Sequence, residues 1–404
     1  MLINNNYEMD LIRFVNNNES YLPAQRVEWL RGGEGFFNKL IEQIRKSGSV
    51  IHFQVYLLES DSTGKMVIDE LINAANRGVE VNLVVDDFGS AKLDKLDEEK
   101  MSKAGIFLKR FQPYASIGDF YFGRRMHHKV FVFDECLAIV AGMNVADRYR
   151  GTNVKEAWLD YGILVEGPIC VQLAEFCTEV LERKFAPGRL KLPSKWIKAL
   201  GPNPEGIWTR MRRNDFLRNR RDITRSYNQA VRSAQKEITI VGGYFLPGRR
   251  FISLIRRAAS RGVQVRIIMT RFSDVPVVKR ASEYLYGRLL RSGISIYECE
   301  HTMVHGKAAV IDRQWATIGS YNQNQLSAYI SIELNLDVVN KKFCGEFNEH
   351  LLDVIKNECT LVTNDSFIRS SSWQAQLSRW ISYRLVRISL RMLFAMNRIF
   401  GVND

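Results

Sequence analysis

The chain has 404 residues, 46% hydrophobic and 25% charged, the proportions of an ordinary globular protein long enough for two domains of common size. Its formal net charge of +13 excludes a charge-neutral surface and implies an anionic partner, for which nucleic acid and an acidic membrane are both candidates. No stretch approaches the roughly eighteen uninterrupted apolar residues of a spanning helix.

In chain order, the amino terminus carries Asn4 to Asn6, Glu8 and Asp10, without the basic and apolar regions of a signal peptide, so none is expected. Residues 37–45 then read as a helix, 50–58 as a strand, 66–76 as a helix and 79–85 as a strand. Residues 227–233, 238–245, 251–260 and 263–269 repeat that series. Arg77-Gly78-Val79 and Arg261-Gly262-Val263 mark the same helix-to-strand junction, where glycine suits the left-handed position after a helix. Each half is therefore expected to be an alternating α/β unit with a mixed, largely parallel sheet and flanking helices. Pro187, Gly188, Pro193, Gly201, Pro202, Pro204 and Gly206 suggest a break, placing the boundary near 205: domains 1–204 and 205–365, then a tail. The six cysteines (Cys136, Cys170, Cys177, Cys299, Cys344, Cys359) lack CxxC or paired spacing, so reduced thiols are expected rather than a disulfide framework.

Within this duplication sits a shorter one. His127-x-Lys129-x4-Asp134 is followed by Gly142 and Asn144; His305-x-Lys307-x4-Asp312 is followed by Gly319, Ser320 and Asn322. Each asparagine comes seventeen residues after its histidine. The apolar runs 130–133 and 308–311 read as buried strands continuing from the His-Lys pairs, and residues two apart on a strand share a face. Imidazole and ammonium thus point the same way. A neutral imidazole is a nucleophile or base and its protonated form an acid. Lysines and carboxamides supply fixed donors to phosphoryl oxygens. Two such half-sites facing each other make one phosphate-handling site that needs no metal and no cofactor.

Both segments resemble the HKD motifs of the phospholipase D superfamily. Within it, Arg124 to Lys129, Trp158 to Pro168, Val304 to Lys307 and Trp315 to Ser320 are similar to bacterial cardiolipin synthases of the type lacking amino-terminal transmembrane helices. The resemblance implies two homologous phospholipase D-like domains related by a pseudo-two-fold axis, with the active site at their interface. It further implies the catalytic set His127, Lys129, Asp134, His305, Lys307 and Asp312, in which Asp134 and Asp312 look more structural than chemical. His127 is preferred as nucleophile and His305 as acid/base, with phosphate oxygens held by Lys129, Lys307, Asn144 and Asn322. Glu333 lies where the family places a histidine-orienting acid, and Asp160 is the matching candidate in the first half. His128, facing the other way, reads as a core or supporting histidine; His301 is a rim candidate, and His52 and His350 have no motif support.

The activity so implied is phosphatidyl transfer onto phosphatidylglycerol, giving cardiolipin, on the cytoplasmic side of a bacterial cell membrane. Phospholipid hydrolysis or another phosphatidyl transfer is the nearest alternative. A phosphodiesterase acting on nucleic acid would be served by the positive charge, but no obvious aromatic-and-basic stacking platform is present, and no nucleic-acid partner is expected. From 366 to 403 there is no acidic residue. Arg369, Arg379, Arg384, Arg387, Arg391 and Arg398 are spread along this stretch. Its apolar residues recur mostly at three- and four-residue steps, the pattern of an amphipathic helix suited either to an anionic lipid interface or to packing on the domain.

Overall fold

The computed structural model describes residues 21–111, 125–182, 206–215, 220–324, 331–363, 365, 367 and 372–400. The expected domain boundary near 205 lies at the edge of a segment outside these residues. In the first lobe, β1 (Arg26–Arg31), β2 (Val50–Val55), β3 (Glu80–Asp86), β4 (Phe107–Phe111), β5 (Lys129–Phe133), β6 (Leu137–Ala141) and β7 (Tyr161–Glu166) form one sheet in the order β1-β7-β6-β5-β2-β3-β4. In the second, β8 (Trp208–Asp215), β9 (Glu237–Gly242), β10 (Gln264–Thr270), β11 (Ser295–Cys299), β12 (Lys307–Ile311), β13 (Trp315–Gly319) and β14 (Ser331–Val339) take the order β8-β14-β13-β12-β9-β10-β11. Each position in the first order is matched by the strand seven higher in the second, so the duplication read in the motifs extends through both sheets. β15 (Cys359–Val362) extends the second sheet beyond β11.

The sheets are mixed, but largely parallel they are not. Within the shared order, parallel ladders join only β2 to β3 to β4 and β9 to β10 to β11; the other ladders are antiparallel. The cause is local. Between Phe133 and Leu137, and between Ile311 and Trp315, the chain turns too tightly for the crossover a parallel pair needs. Both turns place two consecutive residues at positive φ (Asp134 50°, Glu135 56°; Asp312 51°, Arg313 55°), the backbone that matches strand twist in a tight hairpin.

The inner faces of the two sheets pack on each other. Val130, Val132, Val140 and Ile163 of the first share one buried cluster with Ala308, Val310, Ile318 and Leu334 of the second. The helices include α1 (Glu34–Lys46), α2 (Ser62–Asn76), α3 (Ile169–Glu182), α4 (Asp222–Ser233), α5 (Arg249–Ser260), α6 (Pro276–Glu283), α7 (Lys341–Glu358) and α8 (Trp373–Phe400); others span Lys95–Lys103, Asp147–Arg150 and Tyr286–Leu290. α3 and α7 contribute to the shared cluster, whereas α1 and α2 cover the outer face of the first sheet and α4 and α5 that of the second. After α2 and α5, Gly78 and Gly262 take φ of 90° and 89°, the left-handed turn expected at those junctions. Residues of the first half also reach the second sheet: Leu22–Pro23 pairs with β8, and Arg125–Met126 runs parallel to β14.

One expectation about cysteine is corrected. Cys299 of β11 and Cys359 of β15 are directly opposed on adjacent antiparallel strands, Cα atoms 4.0 Å apart, and form a disulfide. Their separation of 60 residues hides the pair from any search for short spacing. Cys136, Cys170, Cys177 and Cys344 are free thiols. Among the described residues, no helix is long and apolar enough to cross a membrane.

Candidate active site

The two motif strands begin at Lys129 and Lys307, two residues later than the run of the motif suggests. The histidines lie just before them because their backbones are spoken for elsewhere. The His127 N–H donates to the Ile332 carbonyl at 3.0 Å, and the His305 N–H donates to that of Leu159 at 2.8 Å. Each contact crosses from one lobe to the other. The next residues along are Glu333 and Asp160, and these supply the carboxylates: His127 Nδ1 is 3.1 Å from Glu333 Oε2, and His305 Nδ1 is 2.5 Å from Asp160 Oδ2. Each imidazole is therefore held at two points by consecutive residues of the opposite half.

Strand register makes Asp160 and Glu333 equivalent. Ala141 pairs with Gly162 and Gly319 with Asn335, so each acid lies two residues before the partner of the small residue that ends the preceding strand. At Gly142 an added Cβ would come within 2.2 Å of Asp160 Oδ1, so the carboxylate lies where any side chain would stand. Its counterpart in the second motif, Ser320, instead donates its hydroxyl to Glu333 Oε2 at 2.5 Å. Both acids stand out in the sequence; that each meets the histidine of the other lobe does not.

The four cationic and imidazole groups share one desolvated space. Burial, and then the charge of Lys307, holds the Lys129 ammonium down at about 7. Lys307 is lowered as well, by burial, with Asp160 opposing. His305 is pushed to about 3 by burial and by Lys307, whose Nζ stands 2.6 and 3.1 Å from its ring nitrogens, while Asp160 pulls the other way. His127 is lowered by burial against the opposing pull of Glu333. Asp160 is raised by burial and lowered further by Lys307 and His305, ending below the ordinary carboxylate range. Both imidazoles are thus neutral near pH 7, each with Nδ1 turned to a carboxylate and Nε2 on the far side of the ring, that of His305 standing 3.1 Å from Lys307 Nζ. Each lysine also donates to the carbonyl of its own motif histidine, which fixes the ammonium beside the ring.

Aromatic rings wall the site. Tyr56 packs 4.9 Å from His127 and under the Lys129 ammonium, while Tyr149, Trp158 and Tyr244 surround His305 at 5.2, 5.7 and 6.1 Å. Arg148 lies over Tyr149 and Trp158, its guanidinium bound to both oxygens of Glu59 at 3.0 and 3.1 Å. None of these rings was singled out from the sequence. Tyr56 and Tyr244 each lie just past the first strand of their repeat series, one residue apart in register. The walls are unequal: the side chain of His127 is 18% exposed and that of His305 7%.

The remaining expected residues divide. Asp134 and Asp312 lie at the far end of their strands, about 16 Å from the lysines at roughly 3.3 Å per residue, and do not face the site. Asp134 accepts from the Gly48, Ser49 and Val50 amides at 2.8 to 3.0 Å, and Asp312 from those of Gln235, Lys236 and Glu237 at 2.8 to 2.9 Å. Their inclusion in the catalytic set is corrected: they anchor the start of the neighbouring strand. Asn144 accepts from the Leu57 amide at 3.2 Å and donates to the Tyr149 hydroxyl at 2.8 Å, so one of its two N–H bonds serves the site wall. Asn322 is buried, with its Oδ1 unpaired among the described residues. His128 Nε2 meets Gln54 in the core at 2.8 Å, and His350 stacks on Trp29. His301 is exposed; His52 is buried with Nδ1 unpaired among the described residues. Asp86, not anticipated, accepts from the Met126 amide at 3.0 Å and steadies the approach to His127.

This geometry agrees with what the chain is similar to. The family model described as "Cardiolipin synthase, PLD-like domain" matches residues 40–171 and 227–355, one segment per lobe. The chain is 29% identical to "Cardiolipin synthase B" of Salmonella typhimurium over 376 residues, covering 90% of this chain and 88% of that protein. It is 28% identical to "Cardiolipin synthase B" of Escherichia coli (strain K12) over 361 residues, covering 88% and 86%. In fold it is similar to the crystal structure of phosphatidylserine synthase from Haemophilus influenzae Rd KW20, with a TM-score of 0.72 at 14% identity over 96% of this chain and 99% of that one. With a motif of this kind in each lobe and the family's model matching both, the chain belongs to the phospholipase D-like family of cardiolipin synthases.

Proposed function

We propose that this enzyme transfers a phosphatidyl group onto the hydroxyl of phosphatidylglycerol, forming cardiolipin and releasing the donor's headgroup alcohol. The observation that carries the reading is the pair of imidazoles, each oriented through Nδ1 by a carboxylate of the opposite lobe. His127, the more accessible, attacks phosphorus through Nε2: the N–P bond forms as the bond to the leaving oxygen breaks, and His305 Nε2–H gives that oxygen its proton. His305, now neutral, takes the proton from the incoming hydroxyl as the new O–P bond forms and the N–P bond breaks. An arriving phosphodiester anion raises the depressed imidazole of His305, so that it can hold the proton it donates. Lys129 and Lys307 stabilise the non-bridging oxygens, with Asn144 and Asn322 as further donors.

The lipid is drawn from the membrane surface, on its cytoplasmic side, through α8. The Tyr383 and Val386 side of this helix packs on the second lobe, and Arg379 pairs with Glu283 of α6 at 2.9 Å. Trp373, Leu377, Ile381, Leu385, Ile388 and Met392, on the opposite side, are exposed. An apolar stripe turned away from its own domain, on a segment without carboxylates, suits the lipid–water interface.

The test is to incubate the purified protein with labelled phosphatidylglycerol and resolve the lipids, comparing His127→Ala and His305→Ala. Cardiolipin is expected from the parent and from neither variant; phosphatidic acid as the sole product would replace transfer with hydrolysis. A phosphohistidine trapped on His127 in the His305→Ala protein would support the assigned roles, and trapping on His305 in His127→Ala would reverse them.

A further inference from the structure

Between α8 and the second lobe runs a groove of about 1120 Å³, away from both motif histidines. Seven arginines line it: Arg249, Arg256, Arg288 and Arg291 from the lobe and three from α8. Against them stands one lining carboxylate, Glu283, already paired with Arg379 at 2.9 Å and 3.7 Å from Lys279. The other partners orient without neutralising. Arg256 donates to the Ser292 hydroxyl at 2.7 Å, Arg387 to the Tyr383 hydroxyl at 2.8 Å, and Arg384 lies over the Trp380 ring at 5.3 Å. Among the described residues, no carboxylate pairs with Arg249, Arg288, Arg291 or Arg384. Like charges gathered in a concave site repel one another unless an anion sits between them, and guanidinium forks match phosphate oxygens.

We infer that this groove binds the phosphodiester headgroup of an anionic phospholipid in the bilayer, at a site separate from the catalytic one. The inference rests on the membrane-contact reading of α8. Trp380 and Arg384 line the groove and also border the exposed apolar stripe of the helix. A lipid whose acyl chains lie level with that stripe therefore finds the groove at headgroup depth. A soluble phosphate would gain the charge but not the stripe. The site makes attachment depend on anionic lipid.

The experiment uses the full chain and phosphatidylcholine vesicles with and without phosphatidylglycerol. Arg288→Gln with Arg291→Gln is compared with a charge-matched control outside the groove, Arg225→Gln with Arg257→Gln. The groove pair is expected to lower partitioning onto phosphatidylglycerol vesicles on the order of tenfold to thirtyfold and the control to change it little. Turnover on monomeric short-chain phosphatidylglycerol should stay near that of the parent in both. Equal loss in the two pairs means bulk charge alone and overturns the site. Inorganic phosphate that binds the parent but not the groove pair, with unchanged vesicle partitioning, overturns the lipid assignment. If the parent itself ignores phosphatidylglycerol vesicles, the membrane reading of α8 falls and the site with it; loss confined to the groove pair supports it.

Discussion

At the residue scale, each imidazole is turned by the carboxylate at its Nδ1, which in the proposed mechanism leaves Nε2 to face phosphorus. Glu333→Gln and Asp160→Asn keep the shape of the side chain while removing the charge that fixes the tautomer. Each is expected to lower kcat about a hundredfold or more with little change in KM. A loss in KM alone would mean the acids merely shape the substrate cleft. The depressed lysine sets a pH dependence. Free enzyme needs Lys129 charged to receive a phosphodiester anion, and that charge is lost above about 7. The pH profile of kcat/KM should therefore fall above neutrality, whereas kcat, which reports the complex, should fall only at higher pH because the bound anion restores the proton. A kcat/KM flat to pH 9 would sink this account. The histidines, lysines and asparagines were legible in the sequence because their spacing repeats over seventeen residues. The partnership of His127 with Glu333 spans 206 residues and is set by how the lobes dock, which no short pattern encodes.

At the scale of elements, the aspartates of the two motifs act on the strand next door. Asp134 ties three successive amides at the entry to β2 and sits at φ 50°, a conformation Asp tolerates better than most side chains. Asp134→Ala is expected to destabilise the protein by about 1–3 kcal/mol while the folded fraction keeps its turnover, measured by thermal melts beside initial rates. Loss of activity at unchanged stability would return Asp134 to the chemistry. Burial raises this carboxyl and its amide donors lower it more, leaving it below 3.8. Its contribution is therefore complete above that pH and fades as acid protonates it, so the variant should melt most unlike the parent at neutral pH and converge with it in acid. Alternating helices and strands were readable from periodicity. The direction of the ladders was not, because it depends on two tight turns whose left-handed residues are Asp, Glu and Arg rather than glycine. In α8 the periodicity revealed an apolar stripe, but which side docks depends on Tyr383, Val386 and Arg379 meeting the second lobe.

At the scale of the molecule, the lobes share an inner core and exchange the acids of their sites. Neither lobe can assemble a half-site alone. Residues 21–182 and 206–400, purified separately, are expected to be inactive, and any activity on mixing should saturate with their concentration. Turnover by either fragment alone would show that a lobe can orient its own histidine. Docking also explains how a buried cluster with two lysines is tolerated, since Glu333 and Asp160 are fully buried there and arrive from opposite sides.

The exchange of acids has a consequence in time as well as in space. While the chain is being synthesised, the first lobe emerges with His127 before Ile332 and Glu333, the two residues that hold its backbone and its ring, exist. On the proposed reading, a nascent or cleaved chain therefore carries a disarmed phosphate chemistry until the final third of the polypeptide has closed against the first.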